Sequence, residues 1–113
     1  MVMIILPRHK EAIIPKEKFI NYALNPNKQL HKATAFELAL GYNLGNYDKL
    51  IDNIRSNLVN FPAIQKENTK YGMLYEVRMS LTGENGKTAK VITGWIDDIS
   101  NGEMRLTTVY VDR

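Results

Sequence analysis

The hydrophobic and polar positions change period about half-way along the chain. From Pro15 onward the apolar residues recur at helical spacing. Phe19, Ile20, Ala23 and Leu24 form one stripe behind a proline suited to the first helical position, and Asn25-Pro26-Asn27 ends it. A second helix is predicted from about Leu30 to Leu40, with Ala33, Phe36, Leu38, Ala39 and Leu40 supplying a broad apolar face and Gly41 a left-handed cap. Asn46 is the expected cap of a third helix, from Tyr47 to about Val59, in which Tyr47, Leu50, Ile51, Ile54 and Leu58 fall on one side. Phe61-Pro62 closes it, and polar Gln65–Thr69 reads as a linker.

Beyond Tyr71 the period becomes two. Tyr71, Met73, Tyr75, Val77, Met79 and Leu81 alternate with more polar neighbours, the pattern of a half-buried strand. Asn85-Gly86 and Asn101-Gly102 are hairpin signals, and they separate strands at Thr88–Asp97 and Glu103–Val111. The predicted fold is therefore α+β: about three N-terminal helices (about 15–60) packed on one face of a three- to four-stranded antiparallel meander (about 70–112), in a single domain spanning 1–113.

Turn length sets which side chains share a face. With Asn85-Gly86 as a two-residue loop, Glu84 pairs with Lys87, Arg78 with Thr93 and Glu76 with Trp95. With Asn101-Gly102 treated likewise, Val109 and Val111 turn to the core. The open face then displays Glu76, Arg78, Thr93, Trp95, Thr108 and Tyr110. This leaves Arg105 on the core side, and a one-residue slip flips the whole last strand. Either a bulge bends the strand near Leu106–Thr107, so that Arg105 shares a face with Thr108 and Tyr110, or Arg105 works from the rim of the sheet near Asp98.

Composition narrows the chemistry. The chain has 113 residues and no cysteine, which removes disulfides and thiolate sites. The apolar run Met1–Leu6 is too short for a signal-peptide core or a membrane span and reads as a short strand or arm. The formal net charge is +3, with the excess in residues 1–60, where eight Lys and Arg face five acids. That is a mild pointer to an anionic partner such as nucleic acid. Two histidines, His9 and His31, with no acidic ligand at a fitting spacing, point away from a metal site.

An open sheet face carrying Glu, Arg, Thr, Tyr and Trp suits RNA: a carboxylate or histidine takes the 2′-hydroxyl proton, an arginine holds phosphate and an aromatic ring stacks a base. The same residues are also ordinary cross-strand decoration. His31-Lys32 at the start of the second helix adds two basic groups to free backbone amides, a phosphate-binding arrangement. A solvent-exposed histidine at a helix start is the plainer alternative.

The runs Ile14-Pro15-x-x-Lys18, Tyr22-x-Leu24-Asn25-Pro26, His31-Lys32-Ala33-x-x-Phe36 and Leu40-Gly41-Tyr42 resemble a small uncharacterised bacterial domain family. So do Tyr71-Gly72, Gly83-x-Asn85-Gly86, Trp95-Ile96 and Arg105-Leu106-x-Thr108-x-Tyr110. The family occurs as stand-alone proteins and at the ends of toxin-like proteins. Its layout is similar to the barnase–EndoU–colicin–RelE ribonuclease superfold, which works without metal. The resemblance implies His31, Arg105, Thr108 and Tyr110 as catalytic residues, with Lys32 on the substrate; Glu76, Arg78, Thr93 and Trp95 join as substrate-binding residues from the face argument alone. It further implies RNA, tRNA included, as substrate, a cognate antitoxin or immunity protein as partner, no cofactor, no membrane, and action in the cytoplasm. Export within a larger toxin and a non-catalytic binding role stay open.

Overall fold

The computed structural model describes residues 4–112. Met1–Met3 of the apolar arm lie outside the described residues; Ile4 accepts a hydrogen bond from Ala63 N (2.7 Å), and Leu6 is buried. A short 3-10 turn, His9–Glu11, leads to a wide π-type turn at Phe19–Ala23, which stands where the first helix was expected. Its apolar stripe survives as Phe19, Ala23 and Leu24 in the core.

Helix α1 covers Leu30–Leu40 and ends as predicted, with Gly41 at φ 77° and its N–H on Glu37 O at 3.0 Å. Helix α2 covers Tyr47–Asn57 and tightens into a 3-10 turn, Leu58–Asn60. Asn46 precedes α2 without capping it through its side chain. Its amide instead joins the α1–α2 loop, accepting from Asn43 N (2.8 Å) and donating to Gly41 O (3.0 Å).

Four strands follow in the order β1-β2-β3-β4, all antiparallel: β1 Ala63–Thr69, β2 Gly72–Thr82, β3 Thr88–Asp98 and β4 Glu103–Val111. Strand β1 replaces the expected linker. Only its first residue, Ala63, is buried, so this edge strand lacks the apolar alternation that marks a strand in sequence. The helices cover one face of the sheet. There Phe36, Leu40, Leu50, Ile54 and Leu58 pack with Val77, Met79, Val91, Trp95, Leu106 and Val109.

The β2–β3 turn is one residue longer than its Asn-Gly signal implied. Gly83 N donates to Lys87 O (2.8 Å), which leaves Glu84-Asn85-Gly86 as a three-residue loop with Gly86 at φ 80°. The turn docks on the end of α1: Asn85 N reaches Leu40 O (3.3 Å), and a Cβ on Gly83 would lie 2.1 Å from the same carbonyl oxygen. The extra residue reverses the parity of β3. Val77 now faces Thr93, Tyr75 faces Trp95, Arg78 faces Ile92 and Glu76 faces Gly94.

In β4, Asp98 pairs with Glu103 and Trp95 with Leu106, whereas Gly94 pairs with Thr108. Thr107 is the extra residue of a bulge, one of the two arrangements the sequence left open for this strand. Below it Leu106 and Met104 are buried in the core; above it Val109 is buried and Val111 packs beside the core. Arg105, Thr108 and Tyr110 consequently share the open face. The outer edge of β4 is bridged at its start, where Ile13 N donates to Met104 O (2.7 Å) and Leu106 N to Ile13 O (2.9 Å). The chain then leaves the edge through Ile14-Pro15.

Candidate functional site

Two expected substrate-binding residues are not on the open face. Thr93 and Trp95 are fully buried on the helix-covered side. There Trp95 Nε1 donates to Thr93 Oγ1 (2.8 Å) and Thr93 Oγ1 donates to Val77 O (2.8 Å), which satisfies both polar groups in the core. The cause is the longer β2–β3 turn. Their places on the open face are taken by Ile92, Gly94 and Ile96.

Glu76 and Arg78 are on the open face, joined to each other at 2.9 Å, and Lys66 approaches the same carboxylate at 3.8 Å. The Glu76 carboxylate holds the Arg78 guanidinium above its ordinary pKa. This is a local ion pair on strand β2. Beyond Ile92, which it faces, lies Tyr110.

Gly94 makes room for the bulge. A Cβ there would stand 2.7 Å from Thr108 Cγ2 and 3.3 Å from Thr107 Oγ1, so both threonines lean over the glycine. Beside them, at the outer edge of β4, lies a groove of about 180 Å³ lined by Lys18, Tyr22, Gln29, Lys32, Thr107 and Thr108. No carboxylate lines it. Lys18 Nζ stands 6.0 Å from the Tyr22 ring centre and Lys32 Nζ 5.7 Å from that of Tyr110. Lys32 also lines the adjoining hollow of about 240 Å³ with His31, Ala35, Tyr110 and Val111. His31, Lys32, Thr108 and Tyr110 therefore gather along one edge, where the start of α1 passes the end of β4. His31 is exposed, and among the described residues its ring has no hydrogen-bond partner.

Arg105 is elsewhere. Its Nη1 donates to Asp98 Oδ2 at 3.0 Å, in a depression on the open face that His31 and Lys32 do not line. Arg105 and Tyr110 pair with Ile96 and Ile92, four positions apart on β3, which is about 13 Å at roughly 3.3 Å per residue. Asp98 also accepts from Ser100 Oγ (2.6 Å) and Ser100 N (2.9 Å). These Ser100 bonds, then Arg105, hold its carboxyl below the ordinary aspartate pKa.

The residues that sequence reasoning left without a role are Lys18, Tyr22, Gln29 and Thr107. Lys18 and Tyr22 stood in the quoted family pattern, which was their one signal. Another hollow, of about 370 Å³, runs beside Leu24, Leu38 and Leu44, with Glu37 as its charged group. Among the described residues no three metal-type side chains come together, and no helix is long and apolar enough to cross a membrane.

Neither the curated proteins nor the solved structures yield a match to this chain. A family model does, over residues 5–113, with Lys18, His31, Lys32, Arg105, Thr108 and Tyr110 all inside the matched span. The chain belongs to the family described as Domain of unknown function (DUF6883).

Proposed function

We propose that this chain is an RNA-binding domain whose β4-edge groove holds phosphates of a single-stranded segment. One observation carries the reading: Lys18 and Lys32 converge with the Thr107 and Thr108 hydroxyls in a groove without carboxylates. Lysines attract the phosphate backbone and release its counterions, while hydroxyls fix its register. Tyr22 and Tyr110 beside the two lysines suit unpaired bases, which stack on aromatic rings. The first-turn amides of α1, free of any acidic side chain, add to the positive potential.

Cleavage is the second reading, favoured by His31 and Tyr110 lining one hollow with Lys32. His31 would take the 2′-hydroxyl proton and the 2′-oxygen would attack phosphorus. Lys32 would hold the phosphate, and Tyr110 would give its proton to the departing 5′-oxygen, leaving a 2′,3′-cyclic phosphate. Thr108 would position the phosphate. Arg105, paired to Asp98 in another depression, has no place in this step. The binding reading stands ahead because no carboxylate or carbonyl orients the His31 ring among the described residues. Either activity belongs to the cytoplasm, and a cleaving form calls for a cognate antitoxin or immunity protein.

The test is the purified chain with labelled single-stranded RNA and with total RNA, tRNA included. Binding without fragments, weakened by Lys32→Ala, supports the first reading. Fragments that vanish in His31→Ala while binding persists establish the second. A protein that neither binds nor cuts RNA refutes both.

A further inference from the structure

The depression that holds Arg105 lies on the open face between the β1–β2 and β3–β4 turns and measures about 680 Å³, a size suited to a small planar ligand. Ile96 and Ile99 give it apolar surface, and Tyr71 forms a wall. Tyr71 is 63% exposed and Ile99 72%, an unusual display of large apolar groups on adjacent turns. Both are held in place. Gly72, at φ 147°, has no space for a side chain: a Cβ would meet Asp97 O at 1.9 Å, so the Lys70-Tyr71 turn keeps its shape. Ile99 N donates to Tyr71 O at 3.1 Å, which ties the two turns together.

The polar side is equally ordered. Asp98 is fixed by two hydrogen bonds from Ser100, and it in turn fixes the Arg105 guanidinium through Nη1. A guanidinium held at one nitrogen keeps its plane and offers its remaining N–H groups in a set direction. Thr107 lines both this depression and the β4-edge groove, so the two are neighbours across the bulge.

We propose that this depression is a nucleobase pocket, taking an unpaired base of the strand whose phosphates lie in the β4-edge groove. The inference rests on the RNA-binding reading for its strand but makes a separate claim. Tyr71 and the two isoleucines sandwich a flat apolar face, and Arg105 meets the polar edge of the base or stacks on it. Arg105 is thus a base-positioning residue rather than a phosphate or proton-transfer group. This accounts for its being paired, ordered and distant from His31. Duplex RNA is disfavoured, since its bases are engaged with each other.

The test uses adenosine, which has a base and no phosphate, and the Ile96 and Ile99 methyl resonances of the full chain. Adenosine shifts both methyls in the wild type and neither in Tyr71→Ala, an exposed substitution that leaves the core untouched. Tyr71→Ala weakens single-stranded oligoadenylate binding about tenfold, the loss of one stacked base, and leaves inorganic polyphosphate binding unchanged. Arg105→Lys retains charge and reproduces the RNA loss, as a planar role requires. Methyls that do not respond to adenosine, or an RNA affinity indifferent to Tyr71→Ala, overturn the pocket while leaving the groove standing. A wild type that binds adenosine but neither polyphosphate nor RNA overturns the groove and the shared strand together.

Discussion

The two faces of the sheet use the same strands for opposite ends. On the helix-covered face most residues of β2–β4 are apolar, and the buried Thr93 Oγ1 and Trp95 Nε1 are satisfied by the Trp95–Thr93 bond and by Val77 O. On the open face Ile92 and Ile96 are also buried, yet polar residues surround them: Arg78 and Tyr110 flank Ile92, and Arg105 faces Ile96. The first face gives stability. The second, with the β4 edge where the faces meet, presents the cations and rings that suit a ligand. Thr107 is the hinge of this division, because the bulge lets β4 keep Leu106 and Val109 in the core while Arg105, Thr108 and Tyr110 turn outward.

The contrast breaks if substitutions on the two faces have equal effects on stability. Trp95→Ala should cost about 3–5 kcal/mol, the range for a fully buried large aromatic. Arg78→Ala should leave stability nearly unchanged, as an exposed ion pair does. Denaturant unfolding of both variants checks this.

Gly94→Val is next in size. Its Cβ has to displace the Thr108 methyl, so it should destabilise by about 1–3 kcal/mol as an overpacked site. It should also weaken RNA binding by pushing both threonines from the groove. Unfolding and RNA binding measured on one preparation test the pair of effects. A fully stable Gly94→Val with unchanged binding would remove the bulge from the account.

Helices α1 and α2 and strand β2 were legible from apolar periodicity and β3 and β4 from the Asn-Gly signals beside them, and the β4 bulge was legible as one resolution of a conflict between burial of Val109 and the shared face of Arg105 and Thr108. The β1 strand was hidden because Ile64–Asn68 are exposed and carry no apolar alternation. The faces of Thr93 and Trp95 were misplaced because Asn85-Gly86 signals a hairpin without fixing its loop length. Contact with Leu40, remote in sequence, selects the longer loop. The groove needed a tertiary fact: the Phe19–Ala23 turn brings Lys18 and Tyr22 to the β4 edge, which no local pattern foretells.

Smaller effects sharpen the division within the open face. Asp98 has a folded pKa below its unfolded value of about 3.9. Its contribution to the β3–β4 turn is therefore present above that value and lost as pH falls through the lower, folded one. Carbon-detected titration should find the Asp98 midpoint below the ordinary aspartate value, and Ser100→Ala, which removes the side-chain bond that is the largest single cause while keeping the backbone one, should move it up. An unmoved midpoint in Ser100→Ala would take the serine hydroxyl out of the anchor.

The central claim is that Lys18 and Lys32 grip RNA phosphates at the β4 edge, and the salt dependence of single-stranded RNA affinity tests it most directly. Each lost phosphate contact should lower the slope of log affinity against log salt by about 0.7, equivalent to about fourfold in affinity at 0.15 M. The double variant Lys18→Ala/Lys32→Ala should therefore lose about 1.4 in slope and bind about fifteenfold more weakly, with unchanged stability. A slope and affinity equal to those of the wild type would contradict the account.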